Sequence, residues 1–178
     1  MRTDKVRYAV VGQGYIAQAA MLPAFAHARR NSELAAIVSD DATKLAELGK
    51  KYRVRGYGYD RMDEVLDDVD AVYVALPNAL HADFAVRALR AGVHVLCEKP
   101  MALTVDECDR MAAAAEKAKK VLQIGHCIRF WPEYAVARDL IRGGRYGKLV
   151  AASFRRYSAM PGWSPDSWFA DESRSGGQ

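Results

Sequence analysis

Short apolar runs alternate with amphipathic stretches along the first 125 residues. The runs are nearly continuous in Val, Ile, Leu and Ala, which is typical of parallel strands covered by helices on both faces. They predict strands at residues 6–11, 34–38, 55–57, 71–76, 93–97 and 121–124, and helices at 15–29, 43–52, 61–66, 80–91 and 104–119. This alternation predicts an α/β fold with a doubly wound parallel sheet of the Rossmann type.

Two helix ends carry specific signals. Thr104-Val-Asp-Glu107 has the form of a capping box, in which the threonine and glutamate side chains satisfy N–H groups at a helix start. Gly92 directly follows a predicted helix and is a suitable C-terminal stop.

The pattern changes after Gly125. Residues 130–141 predict a helix, a glycine turn follows, and residues 148–157 predict a longer strand. Because a single strand cannot close a hydrophobic core, we expect residues 126–178 to be the start of a second, incomplete domain.

The chain has 178 residues, of which 51% are hydrophobic, and a net charge of +4. Its 26 Lys and Arg are interleaved with 22 Asp and Glu, so a mixed solvated surface is favoured over a nucleic-acid-binding face. Three separate cysteines favour reduced packing residues of a cytoplasmic protein over a metal site or a disulfide framework. No apolar stretch reaches the roughly 18 residues that a membrane span needs.

The segment Gly12-Gln-Gly-Tyr-Ile-Ala17 directly follows the first predicted strand. At such a junction the first glycine permits a tight turn, Gly14 lets the main chain approach a phosphate, and Ala17 keeps the next helix close to the strand. The motif predicts a site for NAD or NADP. An ordinary glycine-containing turn is the alternative.

The second strand ends at Ser39-Asp40-Asp41. A carboxylate at this position accepts hydrogen bonds from an adenosine ribose and repels a 2′-phosphate, so Asp40 favours NAD. Ser39 and Lys44 together support the opposite interpretation, a phosphate site for NADP. Both aspartates are also suitable caps for the next helix.

The fourth strand runs into Leu76-Pro77-Asn78-Ala-Leu-His81. In a doubly wound sheet, ligands lie at the carboxyl ends of the strands, where the strand order reverses between the first and fourth strands. Taken alone, Asn78 is better explained as a helix cap and His81 as a surface histidine.

The fifth strand ends at Cys97-Glu98-Lys99-Pro100. Because the proline excludes helical geometry at Lys99, we predict that the lysine projects into the same crevice. Partial desolvation there would lower its pKa and let it exchange a proton with a substrate hydroxyl or carbonyl, while its charge stabilises an alkoxide. A surface lysine paired with Glu98 is the alternative.

These motifs occur together with Gly125-His-Cys-Ile-Arg129-Phe-x-Pro-x-Tyr134, and the joint pattern resembles the Gfo/Idh/MocA oxidoreductases over essentially the whole chain. The resemblance implies a Rossmann domain at residues 1–125. It implies that residues 126–178 begin an α/β domain with an open, mostly antiparallel sheet. It also implies hydride transfer between NAD(P) and a sugar, polyol or related alcohol, in a protein that forms homo-oligomers and binds neither nucleic acid nor membrane.

On the same resemblance, Lys99 is a catalytic or substrate-orienting residue. The positions predicted to contact the cofactor are Gly12, Gly14, Tyr15, Ile16, Ala17, Ser39, Asp40, Lys44, Leu76, Pro77, Asn78, His81, Glu98, Lys99, Arg129 and Trp168.

Two features depart from the family pattern. Trp168 is followed by Phe169 instead of arginine, and the later glycine run is Gly176-Gly177-Gln178. Family chains are longer and carry, beyond this run, a helix whose Asp and His act on the substrate. We therefore expect a truncated form that binds cofactor weakly and has little or no turnover.

A non-catalytic NAD(P)-binding sensor is the main alternative function, and an interaction module without a nucleotide is a weaker one. The presence of Lys99 favours an enzyme, whereas the missing second half favours a sensor.

Overall fold

A parallel six-stranded sheet forms the centre of the computed structural model, which describes residues 5–155, 157 and 168–177. The strand order is β3-β2-β1-β4-β5-β6, which is the order of a Rossmann sheet, so the predicted fold class is confirmed. The strands are β1 Val6–Val11, β2 Ser32–Val38, β3 Arg55–Tyr57, β4 Ala71–Val74, β5 His94–Cys97 and β6 Leu122–Ile124.

Helices follow most of the strands. They are α1 Leu22–Ala24, α2 Ala42–Tyr52, α3 Met62–Leu66, α4 His81–Arg90, α5 Val105–Ala118, α6 Pro132–Arg142 and α7 Glu172–Ser175. A π-helical segment, Ala17–Met21, precedes α1, and 3₁₀ turns lie at Tyr59–Arg61, Asn78–Leu80, Cys127–Phe130 and Trp168–Ala170. Within the described ranges, every helix is too short or too polar to cross a lipid bilayer.

The hydrophobic core lies on both faces of the sheet, because successive side chains of a strand point to opposite faces. Ala9 and Val11 of β1 pack with residues of α3, α4 and α5. Val10, between them, packs with Leu22 of α1 and Leu48 of α2. All three β1 residues are fully buried, which explains why the strand is an unbroken apolar run in the sequence.

Helix boundaries agree with the sequence prediction in part. The capping box of α5 is present, since Thr104 Oγ1 accepts from the Glu107 N–H at 3.2 Å and Glu107 Oε2 accepts from the Thr104 N–H at 3.1 Å. Gly92, with φ of +79°, follows α4 as predicted. The first helix is shorter than residues 15–29, because the Asn31 carbonyl already accepts from the Val6 N–H at 2.9 Å and the chain must return to the sheet before then.

The chain divides into two compact units, Met1–Gly125 with Ser164–Gln178, and His126–Trp163. The last residues group with the first unit, which differs from the predicted division. The strand predicted at residues 148–157 is not formed: residues 148–155 and 157 have no strand conformation and are exposed, and residue 156 lies outside the described residues. A strand needs a hydrogen-bonded neighbour, and none of the described strands lies in this unit.

Candidate cofactor and active site

The carboxyl ends of the central strands lie level with one another. Val11, at the end of β1, pairs with Val38 of β2 and Val74 of β4. The ladder continues past the strand ends, since the Gly12 N–H donates to the Val38 carbonyl and the Glu98 N–H donates to the Val74 carbonyl, both at 2.9 Å. The segments that follow β1, β2, β4 and β5 therefore leave the sheet at one edge, on either side of the switch in strand order.

The glycine loop after β1 is closed on one side and open on the other. Gly12 has φ of +92°, and a Cβ at this position would lie 2.5 Å from the Ala75 carbonyl oxygen. A Cβ on Gly14 would meet no atom within 4 Å, so the main chain there is open to a ligand. The N–H groups of the following helical turn have no carbonyl one turn earlier. These features fit a bound diphosphate.

Two glutamines brace this loop. Gln13 is 3% exposed, and its Nε2 donates to the carbonyls of Val10 at 2.8 Å and Val38 at 3.4 Å. Gln18 Nε2 donates to the Gln13 carbonyl at 2.8 Å. The Gln13 Oε1 is buried and has no partner among the described residues. The sequence analysis missed both side chains, because the motif sets no requirement on the residue between its first two glycines.

The acidic pair after β2 has two separate roles. Asp41 caps α2, since its Oδ1 accepts from the Lys44 N–H at 2.9 Å, and this bond lowers the pKa of the Asp41 carboxyl. The Lys44 Nζ lies 3.0 Å from Asp41 Oδ2. Lys44 is thus engaged with the helix cap, and its predicted role as a cofactor ligand is corrected.

Asp40 is the carboxylate left for a ligand. It is exposed, and its side chain forms no hydrogen bond or ion pair within the described residues. Ser39 is 3% exposed and its Oγ accepts from the Asp41 N–H at 3.2 Å, so its predicted contact with the cofactor is corrected too. Burial and then the Asp40 charge raise the pKa of Tyr59 to about 12, which places the Asp40 carboxylate beside this phenol.

After β4, two predicted contact residues are buried against protein. Leu76 is 6% exposed, with its Cδ2 2.9 Å from the position of a Cβ on Gly12. His81 is fully buried, with Nδ1 2.8 Å from the Pro100 carbonyl oxygen and Nε2 2.9 Å from the Leu76 carbonyl oxygen. Neither side chain faces a ligand, so both predicted cofactor contacts are corrected.

Asn78 joins the terminal segment to the β4 end. Its side chain is 4% exposed, and its Nδ2 donates to the Ser175 carbonyl at 2.7 Å. Ser175 is itself buried, and a Cβ on Gly176 would lie 2.9 Å from Leu103 Cδ2. The contact spans 97 positions, so no local sequence pattern could have identified it.

At the end of β5, Glu98 is held from two sides. Its Oε1 accepts from the Tyr73 hydroxyl at 2.5 Å and its Oε2 accepts from the backbone N–H of Lys99 at 3.2 Å. The Lys99 side chain is exposed and forms no ion pair with Glu98 within the described residues, which argues against the predicted alternative. The protein itself does not provide the predicted partial desolvation of Lys99. A tyrosine inside the apolar β4 run was the one sequence signal for the Glu98 contact.

Three further positions complete the description. Cys97 is fully buried, and burial followed by the Glu98 charge raises its pKa to about 12, so it is a packing residue and not a reactive thiol. Trp168 is half-buried in its 3₁₀ turn, with its ring centroid 4.2 Å from that of Phe169. Arg129 is exposed in the unit His126–Trp163. Cofactor contact by Trp168 or Arg129 stays a prediction.

The arrangement therefore combines an open glycine loop, a free carboxylate and an exposed lysine at one edge of the sheet. The predicted positions that meet there with accessible surface are Gly14, Tyr15, Ile16, Asp40, Pro77, Glu98 and Lys99. Among the described residues, no group of three or more His, Cys, Asp and Glu side chains is placed to hold a metal ion.

Comparisons with known proteins agree with this geometry. The Gfo/Idh/MocA profile, described as an oxidoreductase family with an NAD-binding Rossmann fold, matches residues 6–126. The structure of an aldose-aldose oxidoreductase from Caulobacter crescentus, complexed with glycerol, is 45% identical with a TM-score of 0.75, covering 79% of this chain and 43% of that one.

Two other solved structures hold a nicotinamide cofactor. The WlbA dehydrogenase from Chromobacterium violaceum, in complex with NADH and UDP-GlcNAcA, is 28% identical with a TM-score of 0.75 over 83% of this chain and 42% of that one. KijD10, a 3-ketoreductase from Actinomadura kijaniata in complex with NADP and TDP-benzene, is 34% identical with a TM-score of 0.72 over 79% and 43%.

The chain spans less than half the length of the curated relatives it matches, between 30% and 46%. The profile match nevertheless covers the sheet, the glycine loop and the strand ends that form the site. On this evidence the chain belongs to the Gfo/Idh/MocA family of oxidoreductases, with the NAD-binding Rossmann fold of that family.

Proposed function

We propose that the protein transfers a hydride between NAD(P) and the CH–OH or carbonyl carbon of a sugar, polyol or related alcohol. The observation that carries the proposal is the exposed Lys99 at the end of β5, on the same edge as the open glycine loop. The cofactor, when bound, supplies or accepts the hydride. The named activities of relatives, among them 1,5-anhydro-D-fructose reductase and inositol 2-dehydrogenase, support a sugar-like substrate.

The glycine loop binds the cofactor diphosphate in this proposal. Gly14 presents open main chain, and the N-terminal end of the following helix carries partial positive charge. Gln13 and Gln18 hold the loop in place through their bonds to main-chain carbonyls. Binding therefore requires little reorganisation of the protein.

The adenosine ribose is held by Asp40, which gives a preference for NAD. Its exposed carboxylate accepts hydrogen bonds from the 2′- and 3′-hydroxyls and repels a 2′-phosphate. The two side chains that favoured NADP have other partners, since Lys44 is paired with Asp41 at 3.0 Å and Ser39 is buried.

Lys99 acts on the reacting oxygen of the substrate. Its ammonium donates a hydrogen bond to the hydroxyl or carbonyl oxygen, stabilises negative charge that develops there, and exchanges a proton with it. Glu98 fixes the backbone of Lys99 without pairing with its ammonium. The 178-residue chain alone binds cofactor weakly and has little turnover, since most of a substrate domain as found in family members lies outside it.

Reduction of NAD by a panel of aldoses, inositols and diols tests the proposal in the full-length protein. Turnover that requires Lys99 supports it. A protein that binds NADH but oxidises none of these compounds, and whose Lys99→Met variant responds to ligands as the unchanged protein does, is a sensor and not an enzyme.

A further inference from the structure

We propose that His81 is a positioning residue that sets the backbone on which Lys99 is built. This inference rests on the proposed function, because it concerns the lysine assigned to the reacting oxygen. His81 is the first residue of α4 and has no solvent exposure. Its ring contacts the Pro100 carbonyl through Nδ1 and the Leu76 carbonyl through Nε2.

These two contacts join separate parts of the site. Leu76 directly precedes Pro77 and Asn78 at the β4 end, and Pro100 directly follows Lys99 at the β5 end. A carbonyl oxygen only accepts hydrogen bonds, so Nδ1 must carry a hydrogen for the ring to hold Pro100. Both contacts are hydrogen bonds when both ring nitrogens carry one. Because the ring is sealed from water, neither bond has a solvent substitute.

The backbone of Lys99 is held on both sides as a result. Its N–H donates to Glu98 Oε2 at 3.2 Å, and the carbonyl of the next residue accepts from His81 at 2.8 Å. The lysine side chain is exposed and unpaired within the described residues. The position of its ammonium therefore depends on this backbone, and His81 provides the bond that ties it to the β4 end.

Two substitutions separate the two bonds. His81→Asn ends in an amide at the place of Nδ1 and can keep the bond to Pro100, whereas His81→Gln ends at the place of Nε2 and can keep the bond to Leu76. Each loses one buried hydrogen bond, so we expect similar falls in the thermal midpoint. In the full-length protein we expect His81→Gln to lose kcat by about tenfold or more, because the reacting group is displaced. His81→Asn keeps most of its kcat, and both keep their affinity for NADH.

His94→Gln is the matched control. The His94 Nδ1 accepts from the Val121 N–H at 2.9 Å, but it lies at the opposite, amino end of β5. We expect this variant to lose stability with kcat unchanged. Equal kcat in the two His81 variants, or an equal loss in His94→Gln, overturns the proposal.

Nitrogen-15 NMR of the unsubstituted chain decides the case if the variants do not fold. A His81 ring with a proton on Nδ1 supports the proposal, and a ring protonated on Nε2 alone overturns it. Failure of the proposed function has a different signature: the unchanged full-length protein then shows no turnover of any sugar or polyol, whatever the His81 ring shows.

Discussion

The edge of the sheet that forms the site is built in two different ways. On the phosphate side, defined as residues 12–17 and 39–40, the surface offered to a ligand is open main chain at Gly14 and the free carboxylate of Asp40. On the lysine side, residues 76–81 and 98–100, most polar side chains are bonded to protein and only Lys99 extends freely. The first side binds with its backbone, and the second is a scaffold for one functional group.

The largest effect is expected on the lysine side. Lys99→Met in the full-length protein should lower kcat by on the order of 10²–10⁴-fold, because the proton donor and the charge at the reacting oxygen are lost. Its thermal midpoint and NADH affinity should stay close to those of the unchanged protein, since the side chain is exposed. Steady-state kinetics beside a melting curve check this, and a variant with undiminished kcat would remove Lys99 from the mechanism.

Two glycines on the phosphate side separate folding from binding. Gly12→Ala should destabilise the fold by about 1–3 kcal/mol from backbone strain alone, with a further cost from the approach to the Ala75 carbonyl. Gly14→Ala meets no atom, so its stability should change little, while its Kd for NADH rises on the order of tenfold, about 1.4 kcal/mol.

Urea unfolding and NADH titration of both glycine variants make the measurement. The account is contradicted if Gly14→Ala binds NADH as well as the unchanged chain, or if Gly12→Ala is as stable.

The acidic pair offers a matched test of cofactor choice. Asp40→Ala should shift preference towards NADPH by about 1–2 kcal/mol, on the order of tenfold, because repulsion of a 2′-phosphate is removed. Asp41→Ala should instead lose helix stability of about 1 kcal/mol with the capping bond and leave the preference unchanged. Kd values for NADH and NADPH, measured side by side, check the pair; identical behaviour of the two variants would contradict the division of roles.

The smallest effect concerns Tyr59, next to Asp40. Its pKa in the folded protein is about 12, above the ordinary 10.0, so the folded state holds the phenolic proton more tightly than the unfolded state. Its contribution to stability is complete below pH 10 and is lost as the pH rises towards 12. Ultraviolet titration should show one late-ionising tyrosine that Tyr59→Phe removes and that ionises earlier in Asp40→Ala. A late transition unchanged in Asp40→Ala would separate the two groups.

Local patterns in the sequence predict the sheet and the phosphate side well. The apolar runs identify the strands because β1 and its neighbours are buried on both faces. The glycine loop is predictable because Gly12 has a backbone conformation and a close approach to Ala75 that other residues do not tolerate.

The lysine side is less predictable, since its side chains are fixed by distant carbonyls. His81 at a helix start is expected at the surface, yet it is buried by a carbonyl 19 positions away. Asn78 has a helix-capping pattern, yet it bonds to Ser175 in the terminal segment. The strand predicted at residues 148–157 fails for a related reason, because an apolar pattern alone cannot supply the neighbour that a strand needs.

Calorimetric titration of the 178-residue chain with NADH, and with NADPH beside it, tests the central claim most directly. We expect weak, saturable binding of NADH, weaker binding of NADPH, and a clear loss of both in Gly14→Ala. A chain that shows a cooperative melting transition but no saturable heat with either nucleotide would contradict a preformed cofactor site at this edge of the sheet.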